Sequence, residues 1–494
     1  TSKQLHRHHD FTPGQFQRQK NFPARNITRR PYYPPQPPPP PPPQPEVFRR
    51  PEPCTIAPHQ DITLKLTSVG LKKVTNEFVN GPDVSVLYLD KNEIEKVSPT
   101  AFRLIPNLKH LDLSENRIPT NKLLWIGDYI NLRVLKLDNN KPELNKTWEH
   151  RLSSKYLHAL PSLMELSLKS NEIVDVDIAF KEFAPRLSHL DLSDNNITST
   201  GFLDNLPTKL THLYLQKNCI KQIKIASSEN IATLNVSGNR IQQLCNTECS
   251  DVSLSLEALN ELQDLDISYN KINEITVNAF SHTSKLRVLN LSNNKLKHIE
   301  EGTFNKLPLI ESLVLSNNHL VSVPNLCYLT RLSILDLSHN DIVDVNSGAL
   351  CQSKLNRLLL NNNKIVSIQS KTFEFLNSLV DLDLSCNLLF KLPPNWIHPA
   401  NNLRLLSLKN NTITRMEDIQ IAGLSSLEEL HLENNPITHF FITEIDHYPR
   451  LLSVFVKGTL EDDEAMDDDN EVDTNDDDDE SSAKDEISDF DSFR

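Results

Sequence analysis

The residues able to do chemistry sit in few places. HRHHD (6–10) sets His6, His8 and His9 beside Asp10, nitrogen and oxygen donors that hold a divalent ion only where a fold fixes their geometry. No element surrounds them, so the stretch reads as disordered arm with opportunistic metal affinity at most. His110 with Asp112, and His189 with Asp191, are spaced like a base and its orienting carboxylate, but no third group accompanies either couple. The chain has no GxSxG, no phosphate-binding Gly-rich loop, no HExxH and only ten glycines, and an enzyme is not expected. EDDEAMDDDNEVDTNDDDDE (461–480) offers carboxylate oxygens but lacks the aspartate–glycine–glutamate loop of a tight calcium site. The expectation is no cofactor beyond weak Ca²⁺ association with this acidic tail.

The elements that would carry such residues repeat. LRVLNLSNNKLKHIEEGTFNKLPL from 286, LQDLDISYNKINEITVNAFSHTSK from 262, LNRLLLNNNKIVSIQSKTFEFLNS from 355 and VSVLYLDKNEIEKVSPTAFRLIPN from 84 share one frame, LxxLxLxxNxLxxI…F. Self-similarity at fixed period predicts a stacked array of coils. The last two leucines of LxxLxL lie two apart and point to one face of a short strand. The asparagine after the strand can satisfy turn groups of its own and the neighbouring coil, because its amide both donates and accepts. Those positions are Asn92, Asn116, Asn140, Asn171, Asn195, Asn218, Asn239, Asn270, Asn294, Asn318, Asn340, Asn363, Asn387, Asn411 and Asn435. They predict a structural ladder, with no asparagine acting in catalysis. Phe102, Phe280, Phe304 and Phe373 recur in phase and predict an aromatic column in the outer half of the core.

On these residues the chain resembles the extracellular, 24-residue type of leucine-rich repeat protein, over about residues 60 to 456. The resemblance implies an α/β fold: a right-handed solenoid or horseshoe, with a parallel sheet on the concave face and loops or short helices on the convex face. It implies secreted or cell-surface roles in innate immunity, adhesion or matrix organisation. Members of the receptor type carry cysteine clusters in both caps, whereas here the front has only Cys54 and nothing cysteine-rich follows HLENNPI (431–437). Two repeats run long, and WEHRLSSKYLHAL (148–160) and SLSLEALNEL (253–262) predict short convex helices.

The expected organisation is a basic, Pro-rich disordered arm (1–53), a first capping coil (54–83), about fifteen coils (84–450), a capping strand (451–460) and a disordered acidic tail (461–494). In DITLKLTSVGLKKV (61–74) Val69 stands at the ladder position, which suits an end coil. Residues 1–50 hold nine Lys or Arg against Asp10 and Glu46, hence +7; residues 461–494 hold eighteen acids against Lys484 and Arg494, hence −16. Of the net −14, about −5 is left for the middle. The charge therefore lies in the tails, where the arm suits polyanions, with no nucleic-acid motif. The run of prolines within 29–53 predicts a polyproline II spacer. No apolar run reaches the roughly 18 to 20 residues of a membrane span. The chain opens on Thr1 without a charged-then-apolar leader, which fits a mature secreted chain and equally a trimmed one.

A protein or glycan ligand is expected on the concave face or the flanks, with a homodimer as a further option. The residues between the paired leucines face solvent there. Val314, Ile334 and Leu359, with Arg357 and Leu405 alongside, form the candidate patch, and Tyr88 and Tyr214 are isolated aromatic anchors. Asp112, Asp191, Asp266, Asp336 and Asp383 recur at the same position and read as solubility. Acceptor sites of the form N-x-S/T fall at Asn26, Asn145, Asn196, Asn235, Asn290 and Asn410; glycans at Asn235 and Asn290 would block the middle of the face. Cys327 with Cys351, and Cys245 with Cys249, are candidate disulfides, equally readable as buried thiols. Calcium-dependent assembly through the charged tails and an intracellular scaffold with an acidic tail are the alternative readings.

Overall fold

A computed structural model describes residues 61–142, 149–225, 230–247, 249–397, 402–421, 424–438, 450, 451 and 453–456. The HRHHD arm, Asn26, the polyproline run, Cys54, Asn145 and the acidic tail lie outside the described residues.

Seventeen short strands pair in parallel, from Ile62–Lys65 through His110–Asp112 and Val288–Asn290 to Ser453–Phe455. Most are three residues long, an inward leucine between two half-exposed neighbours, as in His110–Leu111–Asp112. The register is kept coil after coil, Leu265 opposite Leu289 and Leu289 opposite Leu313. A ladder of buried leucines thus forms one wall of a single continuous core. With the strand rise perpendicular to the axis, coils advance by about 4.8 Å each.

The turn after each strand depends on two residues. The one preceding the ladder asparagine is left-handed in successive coils: Glu115 (φ 54°), Asp194 (φ 59°), Tyr269 (φ 53°), Asn293 (φ 55°), His339 (φ 54°). Left-handed backbone costs a non-glycine residue on the order of 1 kcal/mol. The asparagine beside it offsets that cost. Asn294 donates to Ile267 O (3.1 Å) in the coil before and to Leu291 O (3.0 Å) in its own, while its Oδ1 accepts from Ile272 N (2.9 Å). Asn92 through Asn435 repeat the pattern, all buried. One departure falls at the long coil: the Asn171 Oδ1 accepts from Asn140 N (2.8 Å), and Thr120 Oγ1 supplies a further bond to Asn171 O (3.1 Å). Asn92 also caps the first coil, accepting from Val69 N (2.9 Å) and Leu71 N (3.1 Å).

The outer half differs from expectation in two respects. Among the described residues neither long repeat forms an α-helix. WEHRLSSKYLHAL yields the strand Arg151–Ser153 and a 3₁₀ turn, Ser154–Tyr156; SLSLEALNEL yields the strand Ser253–Ser255. Each insertion adds a strand to a small convex sheet, Leu152 opposite Val176 and Leu254 opposite Leu244, and Arg151 pairs with Asp175 (3.1 Å) and Asp177 (3.2 Å). The period-two alternation of SLSL outweighs the helical spacing that follows it. Nor do the phenylalanines form one column. They pair off: Phe102 with Tyr129, Phe180 with Phe202, Phe280 with Phe304, Phe373 with Trp396, at centroid distances of 5.8, 6.1, 5.7 and 5.9 Å. Between the pairs, coils such as the one holding Leu326 bring no ring into the core, the adjacent Tyr328 being exposed. The polar tips of the two unexpected aromatics are satisfied. Tyr129 donates to Pro99 O (3.0 Å) and Trp396 Nε1 to Gln420 O (3.1 Å). Gly127 (φ 105°) makes the first contact possible, since a Cβ there would stand 2.0 Å from Pro99 O.

Replacing Asn294 by alanine leaves Ile272 N without its buried partner and removes one of two donors from each of Ile267 O, Leu291 O and Ser292 O. It should cost about 1 to 3 kcal/mol, seen as a lower thermal midpoint and faster amide exchange in the flanking coils. Tyr269→Gly, by contrast, relieves a left-handed residue and should stabilise by up to about 1 kcal/mol in the same assay.

Candidate functional site

The middle leucine of each strand points inward, so both its neighbours share the outer face. That gives two columns of side chains on the concave sheet. One runs through His110, Val134, Glu165, His189, His212, Thr233, Asp264, Val288, Ser312, Ile334 and Arg357; the other, through Asp112, Lys136, Ser167, Asp191, Tyr214, Asn235, Asp266, Asn290, Val314, Asp336 and Leu359.

The recurring aspartates have a structural role that solubility does not describe. Asp112, Asp191, Asp266, Asp336 and Asp383 each accept through Oδ1 from the amide two residues on, at 2.9 to 3.0 Å. These side chains close the strand end against its turn. Asn235 and Asn290 do the same, accepting from Ser237 N (3.0 Å) and Ser292 N (3.1 Å). Both lie half-buried in the sheet, whereas Asn196 and Asn410 are exposed outside it.

Three zones remain for a partner. At the N-terminal end, Tyr88 and Tyr214 are not isolated. Tyr88 packs on His110 (5.2 Å) with the Lys65 ammonium 5.4 Å from its ring centroid, and Tyr214 lies 6.4 Å from His212. His189 and His212 stack face to face at 4.1 Å and 10°. Burial pushes the His212 imidazole below its ordinary value, and His189 adds to this against Asp264. Burial likewise lowers His110, with Asp112 opposing and Lys136 reinforcing. Burial raises the Tyr214 phenol, helped by Asp191 and Asp264. The middle is polar: Asn235, Asp266 and Asn290. The third zone is apolar. Ile334 is 41% exposed and Val288 38%, and half-buried Val314 and Leu359 lie diagonal to them on adjoining strands. Arg357 bounds this zone, its Nε bonded to Asp381 at 3.0 Å; burial raises the Asp381 carboxyl, with Arg357 opposing. Leu405 lies beyond, half-buried, opposite Asp381. At the far end His431 stacks on Phe455 at 4.4 Å and 4°.

The histidine stack and Val288 are functional candidates outside the Tyr88–Leu359 column, on the other side of the same inward residues; His431 and Phe455 lie in that column, at its far end. Among the described residues no three histidine, cysteine or acidic side chains gather to hold a metal, and no helix is long and apolar enough to cross a membrane. On the convex side two disulfides close: Cys245–Cys249 within one insertion, and Cys327–Cys351 between neighbouring coils. Cys219 and Cys386 are free thiols.

A solenoid of this kind, with an asparagine ladder and a leucine-walled sheet, has known relatives. The leucine rich repeat model matches residues 63–118, 82–141, 260–320, 353–413, 378–437 and 401–455, and a second leucine rich repeat model matches 185–202. The chain belongs to the leucine-rich repeat family, in its extracellular type. It is 26% identical to mouse podocan over 401 residues, 75% of this chain and 58% of podocan, and 40% identical to chicken lumican over 109 residues, 22% of this chain and 31% of lumican. The chain thus spans about half the length of such relatives or less. Among solved structures it is similar to a leucine-rich repeat protein of Leptospira interrogans (TM-score 0.56, 23% identity, 79% of this chain and 94% of that one). It is also similar to the Toll chain of the Drosophila Toll–Spätzle complex (TM-score 0.58, 20% identity, 76% and 54%).

Because the fold lowers His110 and His212, it favours their neutral forms. That contribution is complete above the ordinary imidazole value of 6.5 and is lost as pH falls below it. Histidine resonances followed by NMR should show the His212 midpoint below that of a free imidazole. His189→Ala should raise it only part of the way back, since burial is the larger cause.

Proposed function

We propose that this chain is a secreted, non-enzymatic binding protein that takes up another protein on its concave sheet, through Val288, Val314, Ile334 and Leu359. The observation that carries the reading is apolar surface on four consecutive strands in register, flanked by polar and charged side chains, on a face whose other positions are mostly polar, several of them turn-closing aspartates. Apolar exposure at that density marks association surfaces. Arg357, already held by Asp381, is positioned to meet a partner without further loss of side-chain freedom. Secretion is supported by the two disulfides, which suit an oxidising compartment, and by the likeness to podocan and lumican. The Toll–Spätzle complex is a precedent for a protein partner on this fold.

The middle of the face limits where a glycan can stand. Asn290 lies directly opposite Val314, so a sugar there would cover the apolar zone. The reading therefore requires Asn290 to be unmodified while exposed Asn196 carries any glycan; peptide mapping of the secreted chain checks both sites. The functional test is capture from the native extracellular fluid, comparing the unaltered chain with Ile334→Arg/Leu359→Arg. Ile334 is exposed and Leu359 half-buried at the surface, so the variant should keep its stability within about 1 kcal/mol and lose the captured protein. Equal capture by both chains would move the binding surface elsewhere.

A further inference from the structure

The flank where the chain enters each strand carries a second surface, chemically unlike the sheet. Lys109, Arg133, Met164 and Ser188 are stacked in consecutive coils, each amide donating to the carbonyl before it: Arg133 N to Lys109 O (2.8 Å), Met164 N to Arg133 O (2.8 Å), Ser188 N to Met164 O (2.9 Å). Beside them Asn107, Asn131, Ser162 and Arg186 occupy the preceding position of the repeat. All of these but Ser188 line a concavity of about 410 Å³. Three cations face it. Lys109 is paired, its Nζ 2.8 Å from Asp61; Arg133 also acts on that carboxylate through space, and no ion pair among the described residues engages Arg133 or Arg186. Elsewhere on the same flank some cations are matched across coils, Lys285 with Glu261, Arg287 with Glu311 and Arg404 with Glu428, and others, Lys209, Arg331 and Lys354, have no ion pair among the described residues. The hollow at 133 and 186 differs from the one at Arg331 and Lys354 in its lining: that one includes the Glu311 carboxylate, this one has three cations and no carboxylate.

We propose that this hollow binds a sulfated polysaccharide, the anionic groups on Arg133 and Arg186 and the sugar hydroxyls on the amides and hydroxyl between them. Four coils at about 4.8 Å each make the site some 14 Å long, more than one sulfate or phosphate fills and suited to a linear polyanion. The lining alternates cation with Asn107, Asn131 and Ser162. Asn107 and Asn131 donate to Pro82 O (2.9 Å) and Pro106 O (3.0 Å), so each Oδ1 is left to accept a hydroxyl. Met164, 47% exposed, gives a sugar ring an apolar surface. An acidic peptide is the poorer fit, because the backbone groups of this column are spent between coils and no strand can add. A nucleic acid is poorer still, because no aromatic ring lines the hollow for a base to stack on. The site is separate from the concave apolar zone and does not rest on that zone's role.

The test uses the full chain and heparin oligosaccharides, with Arg133→Ala/Arg186→Ala against a control of equal charge change on the opposite flank, Lys271→Ala/Lys297→Ala. All four positions are exposed, so both variants should fold. The site variant should bind at least about tenfold more weakly, and its slope of log affinity against log salt should fall by about two, while the control keeps its affinity and poly-glutamate fails to displace the saccharide. Equal losses in both variants would mean attraction by net charge alone. Unchanged binding in the site variant, or displacement by poly-glutamate as readily as by heparin, would overturn the assignment.

Discussion

The asparagine that follows each strand is the contact on which the solenoid depends. In coil after coil it binds its own coil and the coil before through both ends of a single amide, and it does so out of water, where an unmatched group costs about 1 to 3 kcal/mol. Leucine burial supplies more total free energy, but it is indifferent to register; one coil slid against the next would still bury leucine. The amide is not indifferent. Because Asn294 reaches both Ile267 and Leu291, the coils stack at one height, and only then do Val288, Val314, Ile334 and Leu359 fall side by side. The left-handed residue ahead of each asparagine belongs to the same device: the turn is strained, and the amide is what holds it.

Much of this was legible in the sequence, because periodic residues announce both their partners and their facing. The ladder positions, the inward leucines and the exposed places between them follow from the repeat frame. What was not legible arose where two readings share one pattern. SLSL obeys a strand's alternation while the residues after it obey a helix's spacing, and only the availability of Leu244 and Ile223 as neighbours decides for the strand. The phenylalanines were in phase, yet a column needs a ring in every coil, and the frame does not say that Tyr129 and Trp396 will complete two of the pairs. The aspartates after the strands looked like solvent-facing charge because sequence shows position without showing the amide two residues on.

The candidate surfaces divide in the same way. Ile334 and Leu359 could be named from the frame, and the fold puts them together with Val288. The His189–His212 stack required knowing that two consecutive coils place imidazoles at one height, and the hollow at Arg133 and Arg186 required knowing which side chains of neighbouring coils line one concavity. Facing is periodic; pairing is not. An array therefore discloses its architecture to inspection of one chain, while its chemistry depends on the coils that depart from the repeat.

The bridge between Cys327 and Cys351 has a mechanical consequence. A stacked array drawn apart from its ends comes undone coil by coil. These two cysteines are 24 residues apart, so that span, roughly 80 Å of extended chain, stays locked when its neighbours have given way. The linkage at Cys245–Cys249 encloses only a separation of 4 and withholds almost no length. Under tension the molecule would lengthen by even steps with one step missing, and a reductant would restore it.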